Sequence, residues 1–375
     1  MDFEDRGEFG EFGAGEMKRS RARSISMATG VGSGSASVDL VALAEHVEQF
    51  ASKTVVVLGD FVADEFQFGE ISRVSREAPV LILRHRETQV VPGGGANAAN
   101  NFAALGAKVL PVTVVGQDAA GDALFEYFRE RRMDMSGVVR LKGFTTPTKT
   151  RFLAGWAHTV AQQVLRVDRE PEGELPAGVR ERISGTLRTK LRRADVLAVS
   201  DYGFGVASPE LVRNATAKKK ELVTTLDSRY GLGLYAKAGI LSATPNEAEL
   251  EALHHTAIGR NTTELERCGR ETLTAMKLDS LLVTRGRDGM VLFESPGRAT
   301  HIPIHGSNQA VDVTGAGDTV LAAYSLALGT GASALEAAHI ANIAGGLVVM
   351  ERGTATVSRA ELLAAIRAEA SGAGA

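Results

Sequence analysis

Between residues 54 and 284 short β-branched apolar runs alternate with longer stretches of helical periodicity, and this alternation restricts the fold more than any other feature of the chain. The apolar runs are 54–58 (TVVVL), 109–115, 196–200, 222–226, 239–243 and 280–284. Helical patterns at 96–105, 119–132, 180–191, 209–220 and 262–276 lie among them, and helices dominate again after Asp318. Strands that are apolar throughout are buried on both faces, and helices supply the cover. The pattern therefore predicts an α/β fold of three layers, α/β/α, around a mostly parallel central sheet. In such sheets ligands gather beyond the carboxyl ends of the strands.

Two segments, within about 62–92 and 146–168, break this rhythm. They carry short alternating pieces (EFQF, PVLILRHRE, TQVV, TKTRFLAG, AQQVLRVD), which predict antiparallel strands of a small accessory sheet. The alternation leaves one apolar face to be covered by a ligand, the main domain or a second subunit. We read this sheet as a lid. Residues 41–50 form a short amphipathic segment. Residues 1–38 mix Glu, Arg, Gly and Ser without an apolar run and are expected to be disordered, so the ordered domain is expected at 39–375.

Composition excludes several classes of partner. A formal net charge of -3 and a pI near 6.3 give no footprint for nucleic acid. No apolar run reaches the roughly 18 residues that span a bilayer, and the N-terminus has no signal-peptide core. The acidic residues ahead of 18–26 argue against a targeting role for that Arg/Ser stretch. Cys268 is the single cysteine, so no internal disulfide can form; it reads as a small residue in a helix and suits a reducing compartment, the cytoplasm.

Four motifs stand where chemistry is expected. Asp312-Val-Thr-Gly-Ala-Gly-Asp318 precedes an apolar helical run. Gly315, Ala316 and Gly317 let backbone N–H groups converge at a helix start, which makes an anion site. Asp318 in the first turn is placed to accept a proton from a hydroxyl attacking a bound phosphoryl group. A glycine-rich turn with a capping Asp reads equally well. Pro92-Gly-Gly-Gly-Ala-Asn97 opens a second helix. Gly94 and Gly95 permit close approach, and Asn97 offers a donor and an acceptor to a sugar hydroxyl. The same glycines fit the dinucleotide pattern G-x-G-x-x-A, but the acidic residue expected about twenty positions later is not clearly present. Asp60 and Asp64 follow the first strand and suit sugar hydroxyls or, equally, water. Asn246 and Glu249 stand where a strand meets a helix; they suit a magnesium ion held through water, or a helix start enriched in acids. The chain lacks a Walker A sequence, H-R-D and D-F-G motifs, an H-E-x-x-H pair and a G-x-S-x-G elbow.

Taken together these motifs resemble the ribokinase-like (PfkB) family of sugar kinases, in order and at family spacing from about residue 54 to 363. The resemblance implies a ribokinase-like fold and transfer of the γ-phosphoryl of ATP to a sugar or sugar-phosphate hydroxyl. It implies Asp318 as catalytic base and Gly315, Ala316 and Gly317 as anion hole. Asn246 and Glu249 would organise Mg²⁺ and phosphate, Thr284, Arg285 and Gly286 would line the nucleotide site, and Asn342 would lie near the adenine. Asp312 and Thr314 stand where many members bind a monovalent cation such as K⁺. A homodimer formed through the lid is usual in the family.

Within the family, four stretches resemble the subfamily that phosphorylates D-glycero-β-D-manno-heptose 7-phosphate: 68–80, 162–168, Val199-Ser-Asp201-Tyr202 and 353–358. Arg73, Lys149 and Arg151, on the predicted lid strands, would meet the distal phosphate or stay solvated. Asp168 joins them as a substrate residue. Arg76 replaces the subfamily's proline, Phe204 its lysine, and Asp227-Ser-Arg-Tyr its Asp-Pro-Lys-Gly, which leaves room for another sugar such as fructose, ribose or a sugar monophosphate. A catalytically silent sugar or nucleotide sensor is the remaining reading. Bifunctional relatives carry a nucleotidyltransferase domain after the kinase; with the sequence ending at Ala375, that activity is not expected.

Overall fold

A computed structural model describes residues 38–156, 161–217, 219, 221–306, 310–351 and 353–372. The extension expected to be disordered lies, but for Val38, outside the described residues. Helix α1 (Leu40–Glu48) leads into β1 (Thr54–Gly59), β2 (Phe61–Val74) and β3 (Leu81–Gly94). Then come α2 (Gly95–Ala104), β4 (Lys108–Gly116), α3 (Ala119–Glu130), β5 (Val138–Leu141), β6 (Thr148–Gly155) and β7 (Gln162–Arg169). They are followed by α4 (Ala177–Leu191), β8 (Val196–Asp201), α5 (Pro209–Thr216), β9 (Val223–Ser228), β10 (Ser242–Ala243), α6 (Glu247–His254) and α7 (Thr262–Met276). The last elements are β11 (Ser280–Thr284), β12 (Met290–Glu294), β13 (Arg298–Ile302), α8 (Ala316–Gly329), α9 (Ala334–Val348) and α10 (Arg359–Gly372).

The main sheet runs β13-β12-β11-β10-β9-β8-β1-β4-β5, parallel from β11 to β5 with an antiparallel edge of β12 and β13. Strand β1 shows why. Val55, Val56, Val57 and Leu58 are all fully buried, which contributes roughly 1.5–3 kcal/mol for each side chain. Val55 and Val57 face a core shared with α1, α2, α8, α9 and α10, whereas Val56 and Leu58 face one shared with α4, α5 and α7. The sheet is thus covered on both faces, as apolar strands require. Cys268 is buried in α7, within the second of these cores.

The sequence expectation differs from the structure in several elements. The run 239–243 yields only the two-residue β10, because Gly239 at φ +78 turns the chain just before it. The helix expected at 209–220 ends at Thr216, and part of its predicted end (218 and 220) lies outside the described residues. The β12–β13 hairpin was not anticipated.

A smaller sheet of order β3-β2-β6-β7 stands beyond the carboxyl end of β1; its outer pairs are antiparallel as expected, but the central pair, β2 and β6, is parallel, because each begins beside the main sheet and runs away from it. Its strands β2 and β3 are single 14-residue strands rather than several short pieces. Bulges at Phe68/Gly69 and Ile71/Arg73 shift the inward–outward phase, so one long strand reads in sequence as fragments. Asp60 alone separates β1 from β2, and β3 runs straight into α2. Val74, Leu81, Val164, Leu165 and Val167 leave apolar side chains exposed on this sheet, and Val80 one in the turn between β2 and β3.

Candidate active site

Two motifs far apart in sequence meet at the start of α8. Gly315 has φ +79, and a Cβ there would lie 2.6 Å from Nδ2 of Asn97, so only glycine fits beneath that amide. Asn97, fully buried on α2, donates from Nδ2 to Oδ2 of Asp318 at 2.8 Å. Asn101 in turn donates to the Asn97 carbonyl at 2.9 Å and accepts from the Thr319 hydroxyl at 2.7 Å, which locks α2 against α8. Asp318 is 4% exposed, and its Oδ1 has no hydrogen-bond partner among the described residues. Burial pushes its carboxyl up to about 7, reinforced by the charge of Asp64 and opposed by the Asn97 hydrogen bond and Lys149. A Cβ on Gly317 would meet nothing within 4 Å, so the space above the helix start is open. The first-turn N–H groups have no acceptor within the helix; that of Ala316 reaches the Val313 carbonyl at 3.3 Å, and with the helix dipole this helix start suits an anion.

The first-strand acids divide their work. Asp60 is 1% exposed and accepts backbone N–H groups of Tyr202 at 2.9 Å, Phe204 at 3.0 Å and Val206 at 3.0 Å. Both its oxygens hold the loop after β8, and burial raises its carboxyl to about 6 against the pull of those amides. Asp64 accepts from Arg151 at 2.6 Å. Gly94, at φ +53, lets β3 pass Val62 closely enough to enter α2, and Gly95 donates to the Asp60 carbonyl at 2.9 Å.

Lys149 and Asp168 are cross-strand partners on β6 and β7, and Asp168 receives both arms of Arg166 at 2.7 and 2.6 Å. Arg73 lies at the exposed far end of β2, opposite Ile82, away from the rest. A cavity of about 900 Å³ opens between β6–β7 and the loops after β8 and β9, with Lys149, Arg166, Asp168, Tyr202, Arg229 and Tyr230 in its wall.

At the next strand end, Asn246 and Glu249 form a capping box: Glu249 N–H donates to Oδ1 of Asn246 at 2.8 Å, and Asn246 N–H to Oε2 of Glu249 at 3.0 Å. Burial raises the Glu249 carboxyl. Asp227, at the end of β9, is raised well above the usual range by burial, then by Glu249 and Asp318. Among the described residues no set of three or more His, Cys, Asp or Glu is arranged to hold a metal directly. Thr284 bridges to Asn246, and Arg285 binds Glu247 at 2.5 Å and the Gly259 carbonyl at 2.9 Å. Gly286 follows at φ +52. Asn342, 6% exposed, donates to the Pro303 carbonyl at 2.8 Å. Asp312 accepts from Thr314 N–H at 2.9 Å and Gly353 N–H at 3.0 Å.

Three residues of this neighbourhood were not singled out as site residues: Tyr202, Asp227 and Arg229. Each stands at or just past the carboxyl end of a parallel strand, and each falls in a stretch already compared with the heptose 7-phosphate subfamily, which was the signal available for them.

Over residues 52–361 the sequence matches the family described as pfkB family carbohydrate kinase. Among curated proteins it is similar to the bifunctional protein HldE of Geobacter metallireducens, 39% identical over 310 residues that cover 82% of this chain and 62% of that protein. The HldE of Paramagnetospirillum magneticum is 36% identical over 338 residues, 88% of this chain and 67% of that protein. The chain thus spans about 62% of the length of the first of these relatives. Of solved structures, ribokinase of Arabidopsis thaliana complexed with ribose and ATP aligns with a TM-score of 0.66 at 19% identity, over 84% of this chain and 99% of that one. Phosphofructokinase-2 of Escherichia coli in complex with potassium aligns with a TM-score of 0.66 at 18% identity, over 85% and 99%.

Proposed function

The chain belongs to the pfkB family of carbohydrate kinases, and from that premise we propose that it transfers the γ-phosphoryl of ATP to the anomeric hydroxyl of D-glycero-β-D-manno-heptose 7-phosphate. The product would be the 1,7-bisphosphate, a precursor of ADP-heptose. The observation that carries the chemistry is the buried, half-satisfied carboxylate of Asp318 beside an open helix start. A base needs an oxygen not already engaged, and Oδ1 is buried without a hydrogen-bond partner among the described residues, although Tyr202 lies close enough to lower the carboxyl's affinity for its proton. A carboxyl held at about 7 is matched to that task near neutral pH.

In this reading Asp318 takes the proton from the attacking hydroxyl while the N–H groups at Gly315, Ala316 and Gly317 hold the charge that develops on the transferring group. Asn97 orients Asp318 and, with Asp64, Gly94 and Gly95, faces the sugar. Asp60 acts by fixing the loop that carries Tyr202. The raised carboxyls of Asp227 and Glu249 fit a divalent cation, whose charge would relieve their repulsion; Glu249, set by Asn246, would hold Mg²⁺ through water. When bound, Mg²⁺ supplies neutralisation of phosphate charge. Thr284, Arg285, Gly286 and Asn342 frame the nucleotide, and Asp312 suits a K⁺ ion. The four stretches that resemble heptose 7-phosphate kinases, together with the cations around the cavity, support a phosphorylated acceptor. The small sheet serves as a lid that excludes water, and its exposed apolar side chains suit a homodimer. The protein would act in the cytoplasm; no helix among the described residues is long and apolar enough to cross a membrane.

An ADP-release assay with Mg-ATP tests this, using heptose 7-phosphate, sedoheptulose 7-phosphate, fructose, fructose 6-phosphate and ribose beside Asp318→Asn. Turnover on heptose 7-phosphate that is lost in the variant is the expected result. Turnover confined to another sugar would sink the heptose assignment and leave the kinase intact.

A further inference from the structure

We propose that Lys149, Arg229 and Arg166 form an anion socket that reads a phosphate at the far end of the acceptor, and that Arg73 and Arg151 do not. This rests on the phosphorylated-acceptor reading above.

The cations near the cavity differ in how far they are already committed. Arg151 is committed to Asp64 at 2.6 Å, with side chains only 15% and 7% exposed. Arg73 is not in the cavity wall. Lys149 reaches the cavity from β6 and Arg229 from the end of β9, on two different sheets. Among the described residues neither forms an ion pair with a carboxylate; each lies by an aromatic ring instead, Lys149 at 5.3 Å from the centre of Tyr202 and Arg229 at 5.6 Å from that of Tyr230. Arg166 is also paired, with Asp168, but unlike Arg151 it lines the cavity, and its side chain is 40% exposed.

Four carboxylates also line the cavity, but Asp168 is held by Arg166 and Glu174 by Arg180, and among the described residues neither Glu170 nor Glu210 pairs with Lys149 or Arg229; like charges left so repel, and a bound anion removes that cost. Lys149 registers the repulsion. Burial first, then the charge of Arg229, lowers the pKa of its ammonium. The position of Phe204 adds a reason for the work to fall on Arg229. Phe204 sits on the loop pinned by Asp60 and also lines the cavity, and it gives that wall no charge. A guanidinium opposite can grip a phosphate through two parallel hydrogen bonds, which a lysine cannot.

The test compares acceptors of one carbon skeleton with and without phosphate: heptose 7-phosphate against heptose, and fructose 6-phosphate against fructose. Arg229→Gln and Lys149→Met should each lower the ratio of kcat/KM for the phosphorylated over the plain sugar by about tenfold or more, the loss of a charge-assisted hydrogen bond. Arg229→Lys should recover part of that ratio, which a merely misfolded variant would not. An unchanged ratio, a rise in the KM for ATP, or the same loss in Arg73→Gln would overturn the socket. A second readout needs no turnover: with Mg-ADP bound, inorganic phosphate should raise the Tm of the wild type and raise it less in Arg229→Gln. That dependence without any turnover of phosphorylated sugars would refute the substrate and keep the socket; a phosphate effect indifferent to Arg229 would refute the socket.

Discussion

An aspartate in water titrates near 4, whereas Asp318, enclosed at the start of α8, is pushed up to about 7. Two outcomes follow from the sign of that displacement. Activity requires the ionised form, so kcat/KM should rise with pH through an acidic limb near 7 and not near 4. The folded state also binds this proton more tightly than the unfolded chain, so ionisation costs stability. Asp318→Asn should therefore lose roughly 10²–10⁴-fold in kcat while its Tm at pH 8 rises above that of the wild type. Asn97 works in the opposite direction, because its hydrogen bond favours the charge. Asn97→Ala should move the acidic limb to higher pH, visible in a pH–rate profile; a limb that stayed in place would deny Asn97 its role. Asp318, Gly315 and Asn97 were legible in the sequence because each lies in a compact motif whose spacing is fixed by a helix start. Arg229 and Asp227 were legible only as a departure from a subfamily stretch and not as site residues, because their partners come from other strands.

At the scale of elements, the parallel strands were legible where burial on both faces makes the sequence uniformly apolar, as in β1 and β8. The small sheet was legible only in outline, because its bulges break the period that identifies a strand. Strand β7 is exposed along its whole length and carries Val164, Leu165 and Val167 outward. An apolar edge of this kind invites pairing or cover by a second chain. Leu165→Glu combined with Val167→Lys should convert the proposed dimer to monomer in light scattering after size exclusion, with the Tm of the isolated fold little changed. A wild type that is monomeric at micromolar concentration would remove the dimer.

For the molecule as a whole, four carboxyls gather near one edge of the main sheet, Asp60 and Asp318 buried and Asp227 and Glu249 half-buried, and all are raised. A carboxyl raised in the folded state withdraws stability as pH climbs from its unfolded value near 4 through its folded value. Carboxyls that are lowered, such as Asp134 at about 2 and Glu264, act in the other direction only below about pH 5. Thermal unfolding should accordingly show a lower Tm at pH 8 than at pH 6, and Mg-ATP should narrow the gap by neutralising the cluster. A gap indifferent to Mg-ATP would mean that the cation does not sit among these acids.

The single residue between β1 and β2 has a mechanical meaning. Asp60 ends the main sheet, begins the small one, and accepts at its own carbonyl the N–H of Gly95, where β3 becomes α2. Two of the small sheet's connections to the rest of the fold thus meet at one residue, and Gly95 lies two residues from Asn97, whose amide binds Asp318. If the small sheet moves as the proposed lid, it is a lever with its fulcrum beside the proposed base: a few degrees at the tip would change the hydrogen-bond length at Asn97, and with it the affinity of Asp318 for its proton.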